Sequence, residues 1–193
     1  QCLVGSEMCI RDSIYADFNY MHTNDLGCME FSGRYPDNLH EEINNYSIVA
    51  GVVARQQQFD IIHSHDWLTY PAGIHAKQIS GKPLVIHCVK AFNELIELKK
   101  KYRPQMPWVV HGFRNNLHIA CRLMQENIYF SLGERYQPDV LRHVPLECLL
   151  AETDESTQDI RMVIGRMAET KNVEVSFLCD RIDENARKIF FRQ

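Results

Sequence analysis

The sequence predicts an α/β protein with a mostly parallel sheet, because short apolar runs alternate with longer segments of helical periodicity. The clearest run, Pro83–His87, lies between Gly81-Lys82 and a segment with a helical apolar stripe. Short, continuously apolar runs are typical of parallel strands that helices cover on both faces. Ligands bind at the carboxyl ends of such strands, so His87, at the end of this run, is a candidate functional residue.

The composition is that of a soluble globular protein. The chain has 193 residues, enough for one domain with a substantial core, and is 45% hydrophobic and 24% charged. No apolar run approaches the roughly 20 residues that span a bilayer, and no basic start leads into a signal-like region, so we expect a cytoplasmic protein without a membrane partner. The seven Cys form no CxxC pair, which argues against a disulfide scaffold and a zinc knuckle. The net charge of −4 indicates no extended basic surface.

The first part of the chain is predicted to contain little regular structure before a single helix. Residues 1–13 show no periodicity and resemble a translated adapter sequence from assembled sequencing reads, so we exclude them from the fold. Residues 14–35 are rich in Asn, Asp, Gly and His and are interpreted as irregular, with one short strand at 28–31. A helix is predicted from residues 36–38 to about Gln56, because Pro and Asp suit its first turn and apolar residues follow with helical spacing.

A strand-helix-strand unit is predicted next. Residues 60–64 form the first strand, Tyr70–Ile79 form a short helix that Ser80-Gly81 ends, and residues 84–87 form the second strand. Such a unit is expected to be parallel and right-handed.

The remainder of the chain continues this alternation. After the strand at 84–87, further strands are predicted near 108–111, 128–131 and 147–151, and a helix follows each strand. The first of these helices has an apolar stripe, and its terminal run Lys99–Lys101 is predicted to be a solvated face that suits the C-terminal helix dipole.

Residues 59–82 carry a first family resemblance. The sequence FDIIHSHDWLTYPAGIHAKQISGK, with His-Asp-Trp after a strand and Pro-Ala-Gly in the next helix, resembles the N-terminal domain of family-4, glycogen-synthase-like glycosyltransferases. The resemblance covers about residues 14–87 and implies a Rossmann-like domain in which His65 lies beside a sugar-transfer site. The family's Gly-rich loop and its nucleotide-sugar-binding domain have no counterpart here, so the resemblance implies ancestry rather than activity.

A second family resemblance runs from about Lys82 to the end of the chain. Four ordered segments resemble the C-terminal half of the TatD family of metal-dependent deoxyribonucleases: Pro83–His87, Val110–Phe113, Leu150–Asp154 and Asp183–Arg187. The resemblance implies part of a (β/α)₈ barrel in which a divalent metal activates water against a phosphodiester. Nucleic acid is the partner that it implies.

The same resemblance implies a set of site residues. His87, His111 and Asp154 match positions of metal ligands, and Asp154 is also the catalytic candidate that takes a proton from water. Imidazoles and a carboxylate suit zinc, magnesium or manganese to different degrees, and the sequence does not choose among them. The simpler alternative is that each His ends a strand as a structural residue and that Glu152-Thr153-Asp154 caps the following helix.

Parts of the TatD pattern are missing from their expected places. The family's first strand carries a His-x-His pair and its third region a metal-contacting Glu, and neither segment is present in order. His63 and His65 form a His-x-His pair one strand before His87, and residues i and i+2 of a strand share one side. The sequence therefore predicts that this pair either faces outer helices or joins His87, His111 and Asp154 in an accidental divalent-metal site.

The sequence thus predicts a chain of three parts: an adapter-like tail at 1–13, a partial glycosyltransferase N-domain at 14–81 and the C-terminal half of a TatD-like barrel at 82–193. The expected function is that of an incomplete, impaired metal-dependent hydrolase. The alternatives are a glycosyltransferase fragment and an assembly product without native function. Interrupted folds are also expected to leave apolar faces exposed.

Overall fold

A computed structural model describes residues 39–103 and 107–191 of the chain. The chain divides into two compact units, residues 1–84 and 85–193. The predicted tail, the irregular segment with its short strand and the first residues of the first helix lie outside the described residues.

The described part of the first unit is built from two packed helices and a strand: α1 (Leu39–Gln56), β1 (Ile62–His65) and α2 (Asp66–Ser80). At Gly73 an added Cβ would lie 1.9 Å from the Oγ of Ser64, so only glycine lets α2 approach β1 this closely. Gly81 ends α2 in the left-handed conformation, with φ 70°, and its N–H donates to the carbonyl of Lys77 at 2.8 Å. The predicted stop of this helix is therefore confirmed.

The predicted start of α2 at Tyr70 is wrong, because the helix begins directly after the strand. Asp66 has φ 63° and turns the chain from β1 into the helix without a connecting loop. Asp tolerates this left-handed conformation better than most residues do. The hydroxyl of Thr69 donates to the carbonyl of His65 at 2.6 Å and supports the turn.

The remaining elements follow in regular alternation of strand and helix. They are β2 (Leu84–His87), α3 (Phe92–Tyr102), β3 (Trp108–His111), α4 (Leu117–Gln125), β4 (Ile128–Leu132), α5 (Pro138–His143), β5 (Leu149–Ala151), α6 (Ile160–Lys171) and α7 (Val175–Phe190). β5 begins at Leu149 rather than at 147, because residues 146–148 form a 3₁₀ turn.

The five strands form one sheet in sequence order, β1-β2-β3-β4-β5. β3 pairs with β4 in parallel, with Trp108 opposite Ile128, and β4 pairs with β5 in parallel, with Leu132 opposite Ala151. Every residue of β4 is buried, as expected of a strand with neighbours on both sides and helices on both faces. The prediction of an α/β fold with a mostly parallel sheet is confirmed.

The C-terminal helix is held against the sheet by an amide side chain. Asn185 is buried and its Nδ2 donates to the carbonyls of Leu146 at 2.7 Å and Leu149 at 2.8 Å. These bonds join α7 to the turn that starts β5. The segment Asp183–Arg187, which carried part of the TatD resemblance, therefore has a structural role at this position.

The prediction of a solvated Lys99–Lys101 run is wrong for Lys99, which is only 8% exposed. Lys99 follows Phe92, Leu95 and Ile96 at helical spacing, so it lies on the buried face of α3. None of the described helices is long and apolar enough to cross a membrane.

Candidate metal centre

The candidate site lies where strands of the sheet end. His87 is the last residue of β2, His111 is the last residue of β3, and Glu152 and Asp154 follow β5 directly. Since parallel strands end at the same edge of a sheet, their length and register bring these side chains together.

The two histidines are in direct contact. The Nδ1 of His87 lies 3.1 Å from the Nε2 of His111, within hydrogen-bonding distance, and the ring centroids are 4.9 Å apart. One of the two nitrogens must carry the proton of this bond, so the pair couples the tautomers of both rings.

Glu152 lies on the other side of the His111 ring. Its Oε1 is 3.7 Å from the Nδ1 of His111 and accepts a hydrogen bond from the N–H of Gly112 at 2.7 Å. Gly112 has φ 61°, a left-handed conformation that favours glycine, and this turn aims its N–H at the carboxylate. The backbone after β3 thus fixes Glu152 against the last side chain of β3.

Asp154 completes the group of converging ligands. One ligand atom each from His111, Glu152 and Asp154 lie within 4.8 Å of one another, and we call these three residues the metal cluster. His111 and Glu152 are half-buried, while Asp154 is exposed and has φ 48°. One imidazole and two carboxylates are a donor set that suits a borderline or hard divalent cation, so the residues fit a metal ion.

The sequence-based site residues are therefore partly brought together. His111 and Asp154 belong to the metal cluster, and His87 contacts it through His111. Glu152 was missed, because the Glu-Thr-Asp segment was interpreted with Asp154 as the only ligand. The available signal was its position two residues before Asp154, which gives two carboxylates at one strand end.

His63 and His65 lie in β1 of the first unit. Their ring centroids are 4.1 Å apart, which agrees with the expectation that the two rings share one side of the strand. Their accidental metal site and the glycosyltransferase-like role of His65 stay predictions.

The loop after β4 continues the edge of the sheet beside the cluster. Glu134 accepts a hydrogen bond from the Oγ of Ser156 at 2.7 Å, and its other oxygen lies 3.5 Å from the Nε of Arg135. These contacts tie the loop after β4 to the loop that follows Asp154.

Comparison with known protein families gives a match over more than half of the chain. The model of the family described as TatD related DNase matches residues 74–191, so the match begins within α2, before the predicted boundary at Lys82. The predicted domain bounds, the glycosyltransferase resemblance and the adapter-like tail stay predictions.

Two curated relatives share part of this region. The deoxyribonuclease Tat-D of Schizosaccharomyces pombe is 31% identical over 86 residues, which cover 41% of this chain and 28% of that protein. The 3'-5' ssDNA/RNA exonuclease TatD of Pectobacterium atrosepticum is 29% identical over 134 residues, 56% of this chain and 52% of that protein. The chain thus spans about half or less of the length of these relatives.

Solved structures show the same fold. The TatD homolog YJJV of Escherichia coli superposes with a TM-score of 0.60 at 17% identity, covering 76% of this chain and 70% of that one. A TatD family hydrolase of Entamoeba histolytica gives a TM-score of 0.56 at 16% identity, covering 63% of this chain and 55% of that one.

Proposed function

Because the chain belongs to the TatD-related DNase family, whose model matches residues 74–191, we propose that it hydrolyses phosphodiester bonds of nucleic acid with a divalent cation held by the metal cluster. The observation that carries the proposal is the convergence of His111, Glu152 and Asp154 within 4.8 Å at the carboxyl edge of a parallel sheet.

The residues divide the work according to their surroundings. Glu152 is fixed by the N–H of Gly112 and offers a positioned carboxylate, and His111 offers an imidazole nitrogen on the same side. Asp154 is exposed, so its carboxylate oxygens can meet substrate and accept the proton of an attacking water. When bound, a divalent cation lowers the pKa of a water ligand and offsets negative charge on the phosphoryl oxygens.

His87 supports the cluster through its hydrogen bond. If the Nε2 of His111 donates to the Nδ1 of His87, the Nδ1 of His111 keeps a lone pair on the side of Glu152. The family resemblance also makes His87 a ligand. Both roles predict that loss of His87 weakens metal binding.

The missing parts of the TatD pattern bear on activity. The family's His-x-His pair and the metal-contacting Glu of its third region have no counterpart in order in this sequence. We therefore propose that hydrolysis is slower than in a relative that carries both.

The proposal is tested with a labelled single-stranded DNA and a labelled RNA of the same sequence. The purified full chain is stripped with a chelator, and manganese, zinc or magnesium is then restored separately. We expect cleavage to disappear with the chelator and to return with at least one of the metals. Metal binding without cleavage of either strand would overturn the proposed activity.

A further inference from the structure

Three successive loops at the carboxyl edge of the sheet carry a cation at the same position. Lys90, Arg114 and Arg135 are each the third residue after the last residue of a strand, β2, β3 and β4 respectively. All three are exposed. At the corresponding position after β5 stands Asp154, a member of the metal cluster.

Local energetics disfavour cations at these positions. Each of them closely precedes a helix, since α3 begins at Phe92, α4 at Leu117 and α5 at Pro138. The N-terminus of a helix carries partial positive charge, which attracts acidic residues and repels basic ones. Lys90 also has φ 63°, a left-handed conformation that is unusual for lysine. Residues that break local rules without visible compensation are candidates for function.

Contacts within the protein do not account for these cations. Among the described residues, neither Lys90 nor Arg114 has an ion pair or a side-chain hydrogen bond. Arg135 has a 3.5 Å ion pair with Glu134, a carboxylate that also accepts the hydrogen bond from Ser156. Two of the charges are thus available to a ligand, and the third is partly compensated.

The placement of these three cations favours an extended anion as their ligand. Neighbouring strands lie about 4.8 Å apart, so the three loops distribute their charges along the sheet edge on which the metal cluster stands. The chain as a whole has a net charge of −4 and therefore does not attract polyanions by its overall field. Binding of a nucleic-acid backbone must then depend on local cations.

We propose that Lys90, Arg114 and Arg135 form a phosphate-binding arc that holds the backbone of a single-stranded nucleic acid across the metal cluster. This inference rests on the proposed function, because it names the residues that bind its substrate. The arc positions the strand, and the chemistry remains with the metal cluster.

The test measures the salt dependence of binding without cleavage. A short fluorescently labelled single-stranded DNA is titrated with the full chain in chelator at several low salt concentrations, and anisotropy gives the affinity. Each phosphate contact on a single strand contributes about −0.7 to the slope of log K against log salt. Lys90→Gln, Arg114→Gln and Arg135→Gln should each make the slope shallower by about that amount, and the triple variant by about 2.

A matched control is available on the same helix. Lys101 is exposed near the C-terminal end of α3, whereas Lys90 precedes its N-terminal end. Lys101→Gln removes the same charge from the opposite end of the helix and should leave the slope unchanged. A slope that falls equally in Lys101→Gln, or one that stays constant in the triple variant, would overturn the arc.

Two further measurements distinguish a phosphate-binding role of the three cations from a structural role. The melting temperatures of Lys90→Gln and Arg114→Gln should stay constant or rise, because each removes a cation from a helix N-terminus without breaking an ion pair. A fall in both would indicate a structural role and overturn a binding role. With an RNA of the same sequence, the variants should show the same decrease in the slope of log K against log salt. A decrease confined to DNA would contradict recognition of the backbone.

Failure of the arc can be told from failure of the proposed function. Zinc titration calorimetry on the same variants should give unchanged metal affinity. Wild-type salt slopes in variants that still bind zinc would overturn the arc alone. A reduced slope in a chain that binds no zinc would support the arc and contradict the metal-dependent function.

Discussion

The two ends of strand β3 have opposite chemistry. At its amino end, Trp108 is fully buried, and the ammonium of Lys99 lies 5.0 Å from the centre of its ring. At its carboxyl end, His111 is half-buried between His87 and Glu152, 3.1 Å and 3.7 Å from their nearest polar atoms. The amino end holds an ammonium group near an aromatic ring. The carboxyl end brings together imidazole and carboxylate groups, which can bind protons or metal cations.

This difference indicates how the fold separates stability from chemistry. Burial of Trp108 and of the Lys99 stem removes apolar surface from water, which stabilises the unit without leaving a group available to a ligand. The metal cluster gathers two carboxylates, Glu152 and Asp154, whose mutual repulsion disfavours the folded state. In barrels built from parallel strands, residues at the carboxyl ends serve catalysis and those at the amino ends serve packing.

The largest effect is expected at the carboxyl end. Asp154→Asn should lower the rate of strand cleavage by about 10²- to 10⁴-fold, because it removes a ligand and a proton acceptor in one change. The melting temperature should hardly change, since Asp154 is exposed. Cleavage is followed on a labelled oligonucleotide, with Asp180→Asn on the exposed side of α7 as the control. Cleavage by Asp154→Asn at the wild-type rate would show that Asp154 has no role in the site.

Truncation at the amino end should have the reverse outcome. Trp108→Ala should lower the unfolding free energy by about 3–5 kcal/mol, because a fully buried indole is replaced by a cavity. Metal affinity of the folded protein should be retained. Denaturant unfolding measures the loss, and Trp67→Ala, at a site that is 41% exposed, should cost far less. Equal losses at both tryptophans would contradict the assigned packing role.

A smaller and pH-dependent effect is expected at Lys99. Burial lowers the pKa of Lys99 from 10.5 to about 8, and nearby Glu126 partly opposes this shift. Between about pH 8 and 10.5 the unfolded chain therefore binds more protons than the folded one, so the unfolding free energy rises with pH, by at most about 1.4 kcal/mol per unit.

The Lys99→Met variant isolates this contribution. It keeps an apolar stem over Trp108 and removes the charge, so it should be more stable than the wild type at pH 7, with the advantage shrinking toward pH 10.5. Urea unfolding at several pH values measures both curves, and Lys101→Met is the exposed control. Parallel curves for Lys99→Met and wild type would show that Lys99 keeps an ordinary pKa.

The strands are predictable because their apolar runs are short and bounded by clear breaks. The position of His87 at the end of such a run makes it a candidate, whereas the set His87, His111 and Asp154 is implied only by the resemblance to the TatD family. The position of Glu152 depends on a tertiary contact with the Gly112 turn of another strand, which no local pattern reveals. Lys99 is a different case: its helical spacing after Leu95 and Ile96 is visible in the sequence, and only its charge favours the interpretation as a solvated residue.

The central claim, a metal site at the carboxyl edge of the sheet, is tested most directly by zinc or manganese titration calorimetry. The wild-type chain is compared with Glu152→Gln, which keeps an oxygen for the N–H of Gly112 and removes the charge, and with the double variant His63→Ala/His65→Ala. We predict that Glu152→Gln weakens metal binding at least about tenfold. If the double variant binds like the wild type, the His63-His65 pair contributes nothing to the site. Wild-type affinity in Glu152→Gln would contradict the account.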